Sequence, residues 1–318
     1  MRVSTGMMSS SYLNSLQDNL QRLDKVNRQV NTTKEINKLS DNPYKAIKIL
    51  NSKSEIKTME TYVENCKDTG NWLETTDTAL DQLGKLLSDI KKTLVASGDG
   101  AYSDDELKTL SNETNEKMKE IANALNATHE GKYIFSGSNT GVPPVECIDN
   151  ADGSVSLKFN SSLNLNKLND SLSMDIAQGI SVDYNVKLSS LGFDPTKTDP
   201  FEELNNISKK LANPDADAIK ELTTTCLGDM EQLIENTVNV RSIYGTKANT
   251  VEAMKEKNDD SLIQLKDILS QNEEIDYGEK LVQLKAAELT YQASLQTGGK
   301  LFNVARCRHR GHFCAEQR

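Results

Sequence analysis

The sequence predicts a mainly α-helical chain, in which a long antiparallel helical rod carries a small β-rich inserted domain and flexible coiled-coil helices form both ends. Three observations lead to this prediction. Two long segments repeat apolar residues every seven positions, a central segment alternates instead, and core-forming residues are sparse. Only 36% of the 318 residues are hydrophobic and 5% are aromatic, which is little for a thick globular core. A thin helical protein is therefore expected.

The first long helix is predicted over about 44–96. Apolar residues recur there at steps of three and four between Ile56 and Leu94, the spacing of one face of a helix. Asn42 precedes Pro43, so an N-cap residue stands before a proline at the first helical position. A start at this point follows from the capping chemistry.

Two further helical regions follow. Ser103 and Glu106 have the spacing of a capping box, which predicts a helix from there to about residue 129 that folds back on the first. Near the other end of the chain, the seven-residue pattern between Met230 and Ile268 predicts a second long helix over about 217–270. The two long helices have similar lengths, which favours an antiparallel pair.

The segment between these helices has a different pattern. Residues 132–199 contain an Asp-Gly turn signal at 152–153, followed by alternating apolar residues at 155–159 and again at 180–188. Such alternation is typical of half-buried strands. We expect a small sheet inserted into the helical part, with a short helix after Pro200.

Each end of the chain carries its own apolar seam. Single amphipathic helices of this length are marginal in water, because most helix stability comes from packing the apolar face. Periodicity alone fits an intramolecular core and a contact between copies equally well. The seam residues, which would form the assembly interface in the second case, are Leu13, Leu16, Leu20, Leu23, Val30, Leu281, Leu284, Tyr291 and Leu295.

Charge and hydropathy exclude several classes of protein. The net charge is −10, so the overall field repels nucleic-acid phosphates and anionic lipid surfaces. We expect neither nucleic acid nor a membrane as partner. No apolar stretch has the length of a transmembrane helix, and the start of the chain lacks the apolar region of a cleaved signal peptide. Any export is expected to use another route.

No constellation of residues suggests catalysis, a metal or a cofactor. Cys307, His309, His312 and Cys314 are zinc-compatible types, but their spacing differs from that of known zinc sites. His129 is predicted to lie near the C-terminal end of the third helix, where a positive charge interacts favourably with the helix dipole. The Gly pair at 298–299 lacks the context of a phosphate-binding loop, and a turn is expected there.

Several local motifs stand out in the sequence. The opening Met-Arg-Val-Ser-Thr and the stretch Lys-Glu-Ile-Asn-Lys-Leu-Ser-Asp-Asn-Pro at 34–43 resemble the flagellar hook–filament junction proteins, or third hook-associated proteins, and the second stretch resembles one that this family shares with flagellins. Further matches are Gly-Lys-Tyr-Ile-Phe-Ser-Gly-Ser at 131–138, Arg-Ser-Ile-Tyr-Gly-Thr-Lys-Ala-Asn at 241–249, and Tyr-Gln-Ala-Ser-Leu-Gln-Thr-Gly-Gly-Lys-Leu-Phe at 291–302. The motifs stand in the family's order. Residues 305–318 do not resemble its hydrophobic terminal helix.

The resemblance implies a domain layout. Residues 1–42 and 271–304 would form the D0-like terminal helices, 43–131 and 200–270 the D1-like helical rod, and 132–199 the D2-like β-rich insertion. An atypical tail covers 305–318. The residues expected to fix the turn into the rod are Asn37, Ser40, Asp41 and Pro43.

The resemblance also implies a function, a location and partners. The protein would be a non-enzymatic component of the extracellular bacterial flagellum, exported without a cleaved signal peptide. Its partners would be other copies of itself, the first hook-associated protein, flagellin and an export chaperone. The nearest alternative is a flagellin filament subunit. A ligand-binding or enzymatic β insertion and a soluble coiled-coil adaptor are the alternatives from other classes.

Overall fold

The computed structural model describes residues 5–97, 104–197, 199–213 and 216–313, with the side chains at 5, 104, 216–217 and 300–313 left out of the description. Helices dominate the described residues, as predicted. They are α1 (Thr5–Thr32), α2 (Pro43–Ser97), α3 (Asp104–Leu125), α4 (Leu188–Leu191), α5 (Glu202–Ala212), α6 (Ala216–Glu221), α7 (Leu227–Glu273) and α8 (Tyr277–Phe313). The mainly α-helical fold with a small β region is confirmed.

Capping chemistry defines the start of α2. Pro43 is the first helical residue, and the Asn42 side-chain oxygen accepts a hydrogen bond from the backbone N–H of Lys45 at 3.1 Å. This bond satisfies a donor that a helix N-terminus otherwise leaves unpaired. The predicted N-cap is confirmed. Both ends of the helix lie within one residue of the predicted ends.

The second long helical segment covers 216–273, but it is not α-helical throughout, in contrast to the prediction. A π-helical turn, Leu222–Cys226, separates α6 from α7. Three consecutive threonines occupy this turn, and the Thr224 hydroxyl donates to the Lys220 carbonyl oxygen at 2.8 Å. Threonine side chains that bond to preceding carbonyls disturb the regular helical ladder, and π turns interrupt helices in this way. A heptad pattern does not contain that information.

In the described residues, the β region forms three two-stranded antiparallel pairs instead of the single small sheet predicted. The predicted Asp-Gly turn is confirmed between the second pair of strands, where Gly153 has φ +82°. The strands are β1 (Thr128–His129) with β2 (Lys132–Tyr133), β3 (Val145–Asp149) with β4 (Val155–Phe159), and β5 (Ser173–Ala177) with β6 (Ile180–Asp183).

The alternating pattern at 180–188 ends as a strand at Asp183 because a side chain replaces the ladder. Asn185 accepts a hydrogen bond from the Leu172 N–H at 2.7 Å and donates to the Asp170 carbonyl oxygen at 2.7 Å. The chain then enters α4, where Leu188 is fully buried. The apolar residues beyond Asp183 therefore serve a turn and a helix instead of a longer strand.

The chain divides into two compact units. We call Met1–Thr58 with Leu262–Arg318 the terminal unit, and Met59–Ser261 the central unit. Within the central unit, α2 and α7 are antiparallel, since Cys66 lies beside Asn258 and Lys91 pairs with Glu231.

The central unit has a continuous hydrophobic core. Helices and hairpins share it, because Val155 and Leu157 of β4 are buried in the same cluster as Leu87 of α2 and Ile207 of α5. The Asn205 side chain joins α5 to β4 by accepting from the Leu157 N–H at 2.7 Å and donating to its carbonyl oxygen at 3.1 Å. The β hairpins are thus held by apolar packing and by satisfied buried amides.

Candidate assembly surface

In the terminal unit, α1 packs along α8. The Tyr12 hydroxyl donates to the Ser294 carbonyl oxygen at 2.7 Å, and the Asn19 amide donates to the Ser294 hydroxyl at 3.0 Å. Further along the pair, Val26 and Ala287 are buried and line a cavity of about 300 Å³. The two helices therefore cover part of each other's apolar seam within one chain.

The predicted seam residues divide into two groups. Val30 is buried, whereas four others are half-buried: Leu16, Leu23, Leu284 and Tyr291. The remaining four stay exposed, with Leu13 at 53%, Leu20 at 48%, Leu281 at 42% and Leu295 at 46% of full accessibility. Part of each seam is therefore covered within the single chain, and part of it remains exposed.

Exposed apolar side chains are concentrated in the terminal unit. Of the 21 large apolar residues that are exposed in the described part of the chain, 15 belong to it, against six of the 43 buried apolar residues. The exposed set comprises Met7, Met8, Leu13, Leu20, Leu39, Tyr44, Ile47, Leu50, Ile263, Ile268, Tyr277, Leu281, Val282, Leu289 and Leu295. Large exposed apolar surfaces mark interaction sites.

One part of this surface was missed by the sequence reasoning. Tyr44, Ile47 and Leu50 form an exposed apolar stripe at the start of α2, with exposures of 82%, 55% and 58%, while Ala46 and Ile49 are buried on another side. The signal was present in the sequence, because five apolar residues within seven positions exceed what one amphipathic face requires.

Of the residues predicted to fix the turn, Pro43 begins α2 and the other three lie between α1 and α2. Asn37 accepts a hydrogen bond from the Thr32 hydroxyl at 2.7 Å, while Ser40 is exposed. Asp41 accepts from the Lys38 N–H at 3.1 Å and lies 3.6 Å from the Lys25 ammonium. Desolvation works to raise the pKa of Asp41, but the Lys38 hydrogen bond and the Lys25 charge hold it below its usual value.

Glu273, which the sequence reasoning did not single out, ties this turn to the end of α7. Its backbone carbonyl accepts from the Glu35 N–H at 2.8 Å. Its carboxylate, only 11% exposed, bonds the ammonium groups of Lys34 at 2.7 Å and Lys53 at 2.9 Å. Burial works to raise the pKa of Glu273, but the two lysines more than offset it and hold the pKa below its usual value.

Two minor sequence expectations are corrected. The glycines at 298–299 lie inside α8 and not in a turn. His129 is not at a helix end, since α3 stops at Leu125; it lies on β1, where its Nδ1 is 2.9 Å from the Thr75 hydroxyl oxygen and its ring meets the edge of Trp72. These contacts are ordinary packing interactions.

No group of three or more potential metal ligands occurs among the residues that the structure describes. The side chains of Cys307, His309, His312 and Cys314 lie outside that description. Three other cysteines, Cys66, Cys147 and Cys226, are free thiols whose pKa values are raised, above all by burial. A raised pKa disfavours the reactive thiolate.

Comparison with known proteins shows what this chain is similar to. Residues 3–140 match the bacterial flagellin N-terminal helical region. Over 96% of its length, the chain is 23% identical to flagellar hook-associated protein 3 of Escherichia coli (strain K12), the whole of which is covered. The chain is thus similar to flagellar hook-associated protein 3 along nearly its whole length.

Solved structures agree on the fold. A putative flagellar hook-associated protein from Vibrio parahaemolyticus matches with a TM-score of 0.61 and 18% identity, over 74% of this chain and 100% of its own. FlgL from Xanthomonas campestris gives 0.58 and 13% over 69% and 99%. Hook associated protein-3 from Legionella pneumophila gives 0.56 and 14% over 70% and 98%.

The proteins that the chain matches in sequence are named as flagellar proteins. Within the described residues, each helix is too short or too polar to cross a bilayer.

Proposed function

We propose that this chain is a non-enzymatic junction subunit of the FlgL type, placed between the hook and the flagellin filament, which polymerises through its terminal helices. The observation that carries the proposal is the contrast between the two units. The central unit buries a continuous core, whereas the terminal unit exposes most of the chain's large exposed apolar residues. A surface of this kind is expected to be covered by neighbouring subunits.

Burial supplies the driving force for this assembly. Each Å² of apolar surface removed from water contributes about 25 cal/mol. Leu13, Leu20, Leu281 and Leu295 realise only part of that gain in the single chain, because each remains at least 42% exposed. When neighbouring copies cover them, ordering of the terminal helices and polymerisation become coupled. The Tyr44 stripe would add a second contact on the same unit.

The names of similar proteins support the position. The Escherichia coli protein is a hook-associated protein, and one solved structure from Legionella pneumophila is that of a flagellar junction protein. The proposed partners are other copies in a ring, the first hook-associated protein on one side and flagellin on the other. An export chaperone would cover the exposed apolar helices before assembly. The proposed location is the extracellular flagellum, reached without a cleaved signal peptide.

The experiment exchanges exposed seam residues for charged ones. The two variants are Leu20→Asp and Leu281→Asp. Both positions are exposed, so they lie outside the buried part of the helix pair. We expect secretion of the protein to persist while filaments detach and motility is lost. Gln21→Asp, at an exposed polar position of the same helix, is the matched control and should remain motile. Normal filament attachment in both leucine variants would contradict the proposal.

A flagellin filament subunit is the second candidate, because the matched N-terminal region is a flagellin region. A filament subunit polymerises onto its own copies without limit, whereas a junction subunit stops after a short layer. Electron microscopy of the purified chain at high concentration separates them. Long filaments grown from this protein alone would favour the flagellin function, and addition to isolated hooks without elongation would favour the junction function.

A further inference from the structure

Gly298 occupies a position where a helix normally disfavours glycine. It lies inside α8 and is buried, while its neighbour Gly299 is exposed. Glycine costs a helix interior stability relative to alanine, because it loses more backbone freedom on folding. A buried glycine in such a place therefore calls for a packing explanation.

The explanation is the ring of Tyr12 on α1. A Cβ at position 298 would come within 2.8 Å of the Tyr12 Cε1 atom and closer still to Cζ and the hydroxyl oxygen. At position 299 a Cβ would meet nothing within 4 Å. Position 298 thus forms a notch in α8 that the Tyr12 ring fills.

The notch also exposes a backbone acceptor. The Tyr12 hydroxyl donates to the Ser294 carbonyl oxygen at 2.7 Å. In an α-helix this carbonyl already accepts from the N–H four residues later, that of residue 298, and its second lone pair remains available. A side chain at 298 would stand between the carbonyl and the tyrosine. Steric fit and hydrogen bond consequently depend on the same missing side chain.

The apolar seams cannot determine the helix register by themselves. Leucines that repeat every seven residues can pair again after a slip of one heptad, which is about 10.5 Å along the helix. After such a slip, Tyr12 would face residue 291 or residue 305. These are Tyr291 and Ala305, and both carry a Cβ. Only Gly298 of the three can accommodate the Tyr12 ring.

We propose that Tyr12 and Gly298 lock the heptad register of α1 against α8, and that this lock determines which apolar residues the terminal unit presents to neighbouring copies. Tyr12 and Gly298 are positioning residues in this role. The second part of the proposal rests on the proposed assembly function, whereas the first part concerns the single chain alone.

The first test compares the two adjacent glycines in the purified monomer by hydrogen exchange of α1 and of α8 up to residue 299. Gly299→Ala should slow exchange about fivefold, because alanine favours the helix. Gly298→Ala should accelerate exchange despite the same gain in propensity. Adding Tyr12→Ala to Gly298→Ala removes the clash and should return exchange toward the rate of Tyr12→Ala alone. Equal slowing by both glycine variants would overturn the lock.

The second test measures the register itself. Arg22 is exposed and lines the same cavity as Gln283, Ala286, Ala287 and Thr290. A photo-crosslinking benzoylphenylalanine at position 22 should therefore react within 283–290 in the otherwise unchanged chain. In Gly298→Ala, mass spectrometry should find a second set of cross-links displaced by seven residues. An unchanged set would overturn the assignment of register to this pair.

The third test measures filament attachment in cells that carry the glycine variants. Gly298→Ala should lose attached filaments, and Gly299→Ala should retain them. Shifted cross-links with normal attachment would leave the lock standing and refute its link to assembly. Unshifted cross-links with the leucine variants still defective in attachment would refute the lock and leave the assembly function intact.

Discussion

Arg241 on α7 binds Asp77 on α2 through two parallel hydrogen bonds, from Nε to Oδ1 at 2.8 Å and from Nη2 to Oδ2 at 3.0 Å. Its third nitrogen, Nη1, donates to Asp81 at 2.5 Å. The guanidinium thus joins the two long helices of the central unit in a geometry that a lysine cannot reproduce.

This contact explains one of the family-like motifs. Arg241, Tyr244 and Lys247 recur every three residues along α7. The Tyr244 hydroxyl donates to the Asn185 carbonyl oxygen at 2.5 Å, and the Lys247 ammonium donates to the Asp183 carbonyl oxygen at 2.7 Å. The motif therefore joins α7 to α2 and to the end of β6 in one stretch.

Arg241→Lys should lower the free energy of unfolding of the central unit by about 0.5–1 kcal/mol, since the pair is partly exposed and its bidentate geometry is lost. Urea unfolding followed by Trp72 fluorescence measures the change. Lys91→Ala, which removes a single-bond pair with Glu231, is the control and should cost less. A larger loss for Lys91→Ala would contradict the assigned importance of the bidentate contact.

Gly137→Ala should destabilise the central unit by about 2 kcal/mol or more. Gly137 has φ +59°, and a Cβ there would lie 2.7 Å from the carbonyl carbon of Leu168. The clashing atoms belong to the backbone, which cannot move aside as the end of a flexible side chain could. Gly141→Ala is the control, because a Cβ at that position would meet nothing within 4 Å. Chemical denaturation of both variants measures the difference, and equal midpoints would count against the strain argument.

The terminal unit should lose stability at acidic pH through Glu273. Its pKa in the folded chain is held below the usual 4.5, so the folded state binds this proton less readily than the unfolded state. The stabilisation is complete above the unfolded pKa and is lost as the pH falls through the lowered folded value.

Glu273→Gln should therefore destabilise the terminal unit by about 1 kcal/mol at pH 7 and by progressively less below pH 4.5. Thermal circular dichroism between pH 3.5 and 7 follows the effect. Glu274→Gln, at the exposed neighbouring position, should leave the melting curve unchanged at each pH. A destabilisation by Glu273→Gln that is independent of pH would exclude the ion pairs as its cause.

Unfolding should not be a single transition. Trp72, the only tryptophan, is buried in the core of the central unit, with edge-on contacts to His129 and Tyr184. Its fluorescence therefore reports on the central unit, whereas circular dichroism also detects α1 and α8. We expect the part of the circular dichroism signal that comes from α1 and α8 to be lost at a lower urea concentration than the one at which the fluorescence changes. Coincident curves would mean that the terminal unit is as stable as the core.

The extent of α2 could be predicted from the sequence because its determinants are local. Asn42 and Pro43 define its start, and the heptad pattern follows its buried face. The π turn and the end of β6 could not be predicted in this way. They depend on hydrogen bonds that the hydroxyl of Thr224 and the amide of Asn185 form with particular backbone carbonyl and N–H groups. Tertiary packing determines which of these groups lie within reach.

The candidate surface shows the same division. Heptad spacing identified the leucine seams, but periodicity has no means of separating the half-buried Leu16 from the exposed Leu20. Glu273 and Gly298 gave no signal at all, because each acquires its role from a residue more than two hundred positions away. Which face of a helix stays open depends on the position of its partner.

The antiparallel pairing of α1 with α8 has a consequence for how the chain matures. Tyr12 meets Ser294 across 282 positions of sequence, and such distant contacts are slow to form. A polypeptide that emerges gradually, first residue leading, cannot close this pair until nearly all of it is available. If copies assemble through this helix pair, as proposed, only molecules with both helices could join a growing structure, and truncated molecules would be excluded.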